Sequence, residues 1–219
     1  LDALTLTAYT GSDTAIEVPA SVDGIPVTAI GERALQDHTE IESVAIPAGV
    51  ESIGAYAFAN CYSLTTVALP AGIKSVEEHT FDGCSSLSSI ELPEGLSSIG
   101  FYAFASCALT DIALPDTLSS IGDYAFAWNH SLGSIALPDG ISQIGEHVFE
   151  GYLDSVKLYC TKGSVTQATL TEHGYPVSVP APTHPDYTFE YNETLDALTL
   201  TAYTGSDTAI EVPASVDGI

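Results

Sequence analysis

A block of about 23 residues recurs along most of this chain, and a repeat of that length limits the fold more than any other feature. Its template is Ile53-Gly54-Ala55-Tyr56-Ala57-Phe58-Ala59-Asn60-Cys61-Tyr62-Ser63-Leu64-Thr65-Thr66-Val67-Ala68-Leu69-Pro70. The opening residue of each unit falls at Ile30, Ile53, Val76, Ile99, Ile121 and Ile144, at intervals of 23, 23, 23, 22 and 23. The short unit lacks one residue between Cys107 and Leu109, which places the deletion at a tolerant bend and not in a strand.

Within a unit, Val67 and Leu69 alternate with Thr66 and Ala68, the period of a strand with one buried face. Pro70 has no N–H for a ladder and ends that strand, and Ala71-Gly72 makes the bend. Ile73 and Val76 then point inward from a second extended segment. Tyr56–Ala59 is long enough for one helical or 3₁₀ turn. Gly31, Gly54, Gly100, Gly122 and Gly145 follow the opening residue and indicate a crowded or tight backbone, but Glu77 in the same place argues against a strict left-handed requirement. About eight inward positions per unit cannot be hidden by a single 23-mer. Stacked units turn each position into a ladder: Leu35, Phe58, Phe81, Phe104, Phe126 and Phe149 in one row, Val44, Val67, Ile90, Ile112, Ile135 and Val156 in another. The architecture is a solenoid.

The pattern Ile-Gly-x-Tyr-Ala-Phe-x-x-Cys-x-x-Leu-x-x-Ile-x-Leu-Pro resembles the leucine-rich repeats of BspA-like, or Treponema-type, bacterial surface antigens. On that reading, residues 1–25 form a β-rich N-terminal cap, 26–158 a six-unit leucine-rich-repeat solenoid, and 159–180 a closing segment. The fold is mainly β with short helical or 3₁₀ turns. The resemblance implies an extracellular or cell-surface protein of adhesive or matrix-binding kind, and it supplies no catalytic residues.

A second repeat overlies the first. Residues 195–219 are identical to 1–25, at an offset of 194. Residues 181–194 contain a proline-spaced linker, Ala181-Pro182-Thr183-His184-Pro185, and then an alternating strand, Tyr187–Tyr191. The simplest account is a protein built from near-identical modules, with residues 195–219 starting the next one; a cloning artefact or deliberate overlap is the alternative. Tyr187, Phe189 and Tyr191 with Leu198 and Leu200 would form a hairpin that caps the following module and joins copies head to tail.

Composition narrows the function. Twenty-nine acids against four bases give a formal charge of −25, which excludes nucleic-acid partners and disfavours anionic membranes. No run approaches the roughly 18 apolar residues of a membrane span. There is no Gly-x-Ser-x-Gly, His-Glu-x-x-His or phosphate-cradling glycine loop, so an enzyme is not expected. The leading expectation is a non-catalytic module of a tandem surface array, structural, fibre-forming or adhesive. The alternative is a recognition module that binds a host protein or glycan on its concave strand face. That face would carry Thr66, Ala68, Ser89, Glu91, Asp111, Ala113, Ser134 and Ala136, with Ser43/Ala45 before and Ser155/Lys157 after. It is small and mostly neutral, without aromatic or arginine anchors.

Three further rows merit testing. Arg33, Tyr56, His79, Tyr102, Tyr124 and His147 form a polar-aromatic row, read as packing before sugar platform or metal site. Glu94, Asp116 and Asp139 share one bend in successive units and would be the calcium ligands if the ridge holds an ion; a solvated acidic ridge is the simpler reading. No other cofactor is expected. Cys61, Cys84 and Cys107 share a row with His38, Asn129 and Tyr152 and are expected as buried, reduced thiols, with Cys160 unpaired in the closing segment.

Overall fold

The computed structural model describes residues 3–178, 187–192 and 197–203. The strands run β1 (Leu4–Leu6), β2 (Ala15–Glu17), β3 (Ser21–Val22), β4 (Ile25–Ile30), β5 (Ser43–Ala45), β6 (Ser52–Ile53), β7 (Thr66–Val67), β8 (Ser75–Val76), β9 (Ser98–Ile99), β10 (Ser120–Ile121), β11 (Ser134–Ala136), β12 (Gln143–Ile144) and β13 (Lys157–Tyr159). Helix α1 (Val165–Glu172), β14 (Val177–Ser178), β15 (Tyr187–Asn192) and β16 (Ala197–Tyr203) follow. Residues 1–178 and 179–219 are separate compact units.

The repeats stack their extended segments into two parallel ladders, the second of them interrupted over the third and fourth units. Ile30, Ile53, Val76, Ile99, Ile121 and Ile144 line one ladder, in which β4 pairs with β6 and β8, β9, β10 and β12 follow in order. In the other, Ile16 pairs with Val44 and Val44 with Val67, and Ile135 pairs with Leu158 and Leu158 with Val177. The caps therefore supply rungs of their own, Ile16 at one end and Val177 at the other. The register corrects one position: Leu158, at the full 23-residue interval, is the rung that the sequence pattern assigns to Val156. Val156 is buried instead on the turn that precedes β13, where its N–H donates to the Tyr152 carbonyl at 3.1 Å.

The core is a stack of rows. Phe58, Phe81, Phe104, Phe126 and Phe149 lie parallel, with centroids 5.1, 5.4, 5.7 and 6.2 Å apart, and each is at most 1% exposed. At the N-terminal end, β3 and β4 form a hairpin across Asp23-Gly24, both at positive φ, as a two-residue hairpin turn requires. At the C-terminal end, Ser164 caps α1 by accepting from the Gln167 N–H at 3.1 Å. Thr166 ties α1 to the last bend: its hydroxyl donates to the Pro138 carbonyl and accepts from the Ile141 N–H. The Tyr175 hydroxyl bridges the Val148 N–H and the Gly145 carbonyl, so the last unit's backbone groups are not left open.

The Tyr-Ala-Phe-Ala segment is a run of tight turns. Alternate N–H groups bond within the unit, Ala57 to Gly54, Ala59 to Tyr56 and Cys61 to Phe58, in the i→i−3 manner of a 3₁₀ turn. Those between them bond to the next unit, Tyr56 to Glu78, Phe58 to Thr80 and Asn60 to Asp82. Two residues per unit take left-handed backbone to allow this alternation, Tyr56 at φ 60° and Asn60 at φ 60° in the template unit. The glycines after the opening residue are not among them. A Cβ on Gly54 would sit 2.5 Å from the Glu32 nitrogen, and on Gly145 2.3 Å from the Asp123 nitrogen, so crowding by the preceding unit explains them.

Candidate functional site

The strand face comes first. All eight residues assigned to it by sequence, Thr66, Ala68, Ser89, Glu91, Asp111, Ala113, Ser134 and Ala136, are exposed. Ser43 stands opposite Thr66, and Ala68 opposite Glu91. The corrected register changes the far end. Ser134 faces Lys157 and Ala136 faces Tyr159, where the pattern pairs them with Ser155 and Lys157. The face therefore ends in a lysine and a half-buried tyrosine, beyond the acids Glu91 and Asp111. Tyr159 is the aromatic residue of this face that sequence reasoning missed. The one signal for it was the interval of 23, which leads from Ala136 to Tyr159.

The polar-aromatic row is a continuous stack. The Arg33 guanidinium lies 4.3 Å from the Tyr56 ring centre. Tyr56–His79, His79–Tyr102, Tyr102–Tyr124 and Tyr124–His147 follow at 4.5, 5.0, 4.7 and 4.9 Å, within 26° of parallel. All six residues are left-handed, at φ 52–60°. A non-glycine residue there costs about 1–2 kcal/mol, and stacking along the row offsets part of that strain. Because neighbouring rings cover one another's faces between Arg33 and His147, the inner part of the row presents edges, and a sugar ring has no open face to rest on there. His79 and His147 are engaged by Asp82 and Glu150 at 2.8 and 3.0 Å.

Two residues break the pattern beside this row. Phe101 is 41% exposed and packs on Tyr102 and Tyr124, and Trp128 is 36% exposed and packs on the same two rings from its own left-handed position. Together they make an exposed aromatic patch over the fourth and fifth units.

The cysteine row is a row of donors. Cys61, Cys84 and Cys107 direct their thiols at the carbonyls of Leu35, Phe58 and Phe81, at 3.1, 3.2 and 3.2 Å. Asn129 does the same to Phe104 with its amide at 2.8 Å, and Tyr152 to Phe126 with its hydroxyl at 3.0 Å. Each position thus satisfies a carbonyl of the preceding unit, which a plain hydrophobe could not do. Burial pushes the Cys61 thiol up to about 12 and the Cys84 and Cys107 thiols well above the usual range, so all three remain protonated donors. All four cysteines are free and buried.

Glu94, Asp116 and Asp139 are exposed on successive bends. Among the described residues, no three His, Cys, Asp or Glu side chains converge as metal ligands would. A depression of about 440 Å³ near α1 is lined by His147, Glu150, His173 and Tyr175. His173 Nδ1 is held by the Thr169 carbonyl at 2.9 Å, and no serine, threonine or cysteine lines the depression for these groups to activate. Among the described residues no helix is long and apolar enough to cross a membrane. The strands Tyr187–Asn192 and Ala197–Tyr203 pair antiparallel, with Phe189 opposite Leu200 and Tyr191 opposite Leu198.

The BspA type leucine rich repeat region matches six copies, over residues 14–131 and 51–169. Similar solved structures include a leucine-rich repeat protein of Treponema pallidum, 26% identical over 81% of this chain and 91% of its own, with a TM-score of 0.63. Another, from Bacteroides ovatus, is 29% identical over 67% of this chain with a TM-score of 0.59, and this chain spans 47% of it. A leucine rich cell surface protein of Faecalibacterium prausnitzii shares the fold at 23% identity, over 97% of this chain and 60% of its own, with a TM-score of 0.55. No curated protein matches the sequence.

Proposed function

The chain belongs to the BspA-type leucine-rich repeat family, and from that premise we propose that it is a non-catalytic module of a tandem-repeat protein of the bacterial cell surface, structural, fibre-forming or adhesive, whose partners are further copies met head to tail. One observation carries this reading: the sequence of the N-terminal cap begins again at Leu195, and its first strand is already paired there, with β15. The inward side chains serve the ladders between units, and the chain's charge of −25 suits a solvated outer coat. Sedimentation velocity over a range of concentrations, with electron microscopy of the same samples, tests it. Linear assemblies that lengthen with concentration are expected; a monomer at every concentration would refute the head-to-tail part. Protease shaving of intact cells tests the location, since a surface module is cut without lysis.

A second reading, recognition of a host protein or glycan on the strand face, is favoured by Lys157 and Tyr159 beside Ser134 and Ala136. Glu91→Lys with Asp111→Lys would reverse the charge at the middle of that face. If the reading holds, these substitutions abolish binding to host-matrix proteins or glycans that the unaltered chain retains.

A further inference from the structure

Strands β1 and β16 are one sequence in two settings: Ala3–Tyr9 and Ala197–Tyr203 are identical residue for residue. In the first, Leu4, Thr5 and Leu6 pair in parallel with Val27, Ala29 and Ile30 of β4. Among the described residues, no strand pairs with the other edge of β1. In the second, the same residues pair antiparallel with β15, Leu198 opposite Tyr191, Thr199 opposite Glu190 and Leu200 opposite Phe189. A strand has hydrogen-bonding groups on two edges, and an unpaired edge recruits whatever strand fits it. Each copy of this sequence therefore holds half of one arrangement, β15 on one side and β4 on the other.

We propose that the outer edge of β1 receives the Tyr187–Asn192 strand of a second copy of this chain, in the register of the β15–β16 hairpin: Asn192 opposite Ala3, Tyr191 opposite Leu4, Glu190 opposite Thr5 and Phe189 opposite Leu6. This rests on the head-to-tail reading and names the joint. Tyr187–Asn192 is then the first capping strand of the module that follows it, and the boundary between modules lies before Tyr187. The donor strand and the acceptor edge belong to different parts of the molecule, so the contact is heterologous and propagates unless it closes into a ring. Within one molecule β16 competes for the same strand at a high effective concentration, so exchange between separate chains requires the hairpin to open.

The duplication allows a direct test on the full chain. Thr199→Pro with Thr201→Pro puts one proline opposite Glu190 and one at the register shift of the second copy of the strand, which a regular ladder does not accommodate, and leaves Thr5 and Thr7 intact. In that background, Thr5→Cys is combined with Glu190→Cys and the protein is oxidised. Thr5 is exposed, and opposed positions on paired strands lie within disulfide reach. The expected result is a ladder of covalent multimers on a non-reducing gel. Thr5→Cys with Thr188→Cys, about 7 Å out of register, should remain monomeric. Glu190→Cys with Thr199→Cys, without the prolines, should close inside one chain. No excess of multimer from the in-register pair over the out-of-register pair would overturn the proposal. If the unaltered chain still sediments as lengthening assemblies in that case, the head-to-tail reading stands and the joint lies elsewhere.

Discussion

Replacing Asn129 by cysteine restores the residue that three other units carry at that place, yet it should destabilise the protein. The reason lies one unit earlier. In full-length units the leucine N–H closes a turn on the residue three before it: Leu64 on Cys61, Leu87 on Cys84 and Leu132 on Asn129. The short unit has one residue too few for this between Cys107 and Leu109, and the Leu109 N–H is instead accepted by the Asn129 side-chain oxygen at 3.3 Å. Asn129 is 0% exposed and also donates to the carbonyls of Phe104, Phe126 and Ala127. Cysteine can keep the donation to Phe104 but offers no comparable acceptor to Leu109. A buried N–H left without a partner costs about 1–3 kcal/mol, and each bond lost to a carbonyl that keeps another donor about 0.5–1.5. Asn129→Cys should therefore cost about 2–6 kcal/mol, measured by urea unfolding followed by circular dichroism at an unchanged m-value. Inserting a serine between Ala108 and Leu109 rebuilds the full-length turn and gives Leu109 its own acceptor. In that background the same substitution should cost about 1–3 kcal/mol less, a coupling well above the roughly 0.3–0.5 kcal/mol scatter of independent sites. Equal costs in the two backgrounds would refute the view that Asn129 compensates for the deletion.

Phe104→Ala, in the middle of the phenylalanine stack, should cost about 3–5 kcal/mol in the same assay, because units on both sides hold the cavity open. The Cys61 thiol titrates at about 12 in the fold against a reference of 9.0. The unfolded chain therefore releases that proton first, and this contribution to stability is full below about pH 9 and lost as pH rises from there towards 12. Urea midpoints falling across that window, and falling less in Cys61→Ala, are expected; a flat profile would count against protonated thiol donors. Thiol titration of unreduced, denatured protein should find all four cysteines free. CaCl₂ and NaCl at matched ionic strength should raise the melting temperature equally, since Glu94, Asp116 and Asp139 belong to no convergent group of three among the described residues; an excess for calcium would place an ion on that ridge.

The fold was legible because its main determinants are local and periodic. Alternation in Thr66–Leu69, the proline stop at Pro70 and the constant interval between phenylalanines each act within one unit, and stacking only multiplies them. The candidate surfaces were legible as rows for the same reason, but not their chemistry. Whether the tyrosines offer faces or edges depends on how closely neighbouring rings approach, and the 4.5–5.0 Å stack closes the faces. Whether a cysteine is filler or donor depends on a carbonyl about 26 residues earlier in the chain. The Val156 misassignment has the same origin: both Val156 and Leu158 suit a buried strand position, and only pairing with Ile135 selects between them. Asn129 shows the division most clearly. The deletion before Leu109 and the odd asparagine in the next unit are both visible in the sequence as unrelated departures. They become one feature when stacking brings an unpaired N–H within reach of a side-chain oxygen 20 residues away, because hydrogen bonds between units are set by position in space and not by period along the chain.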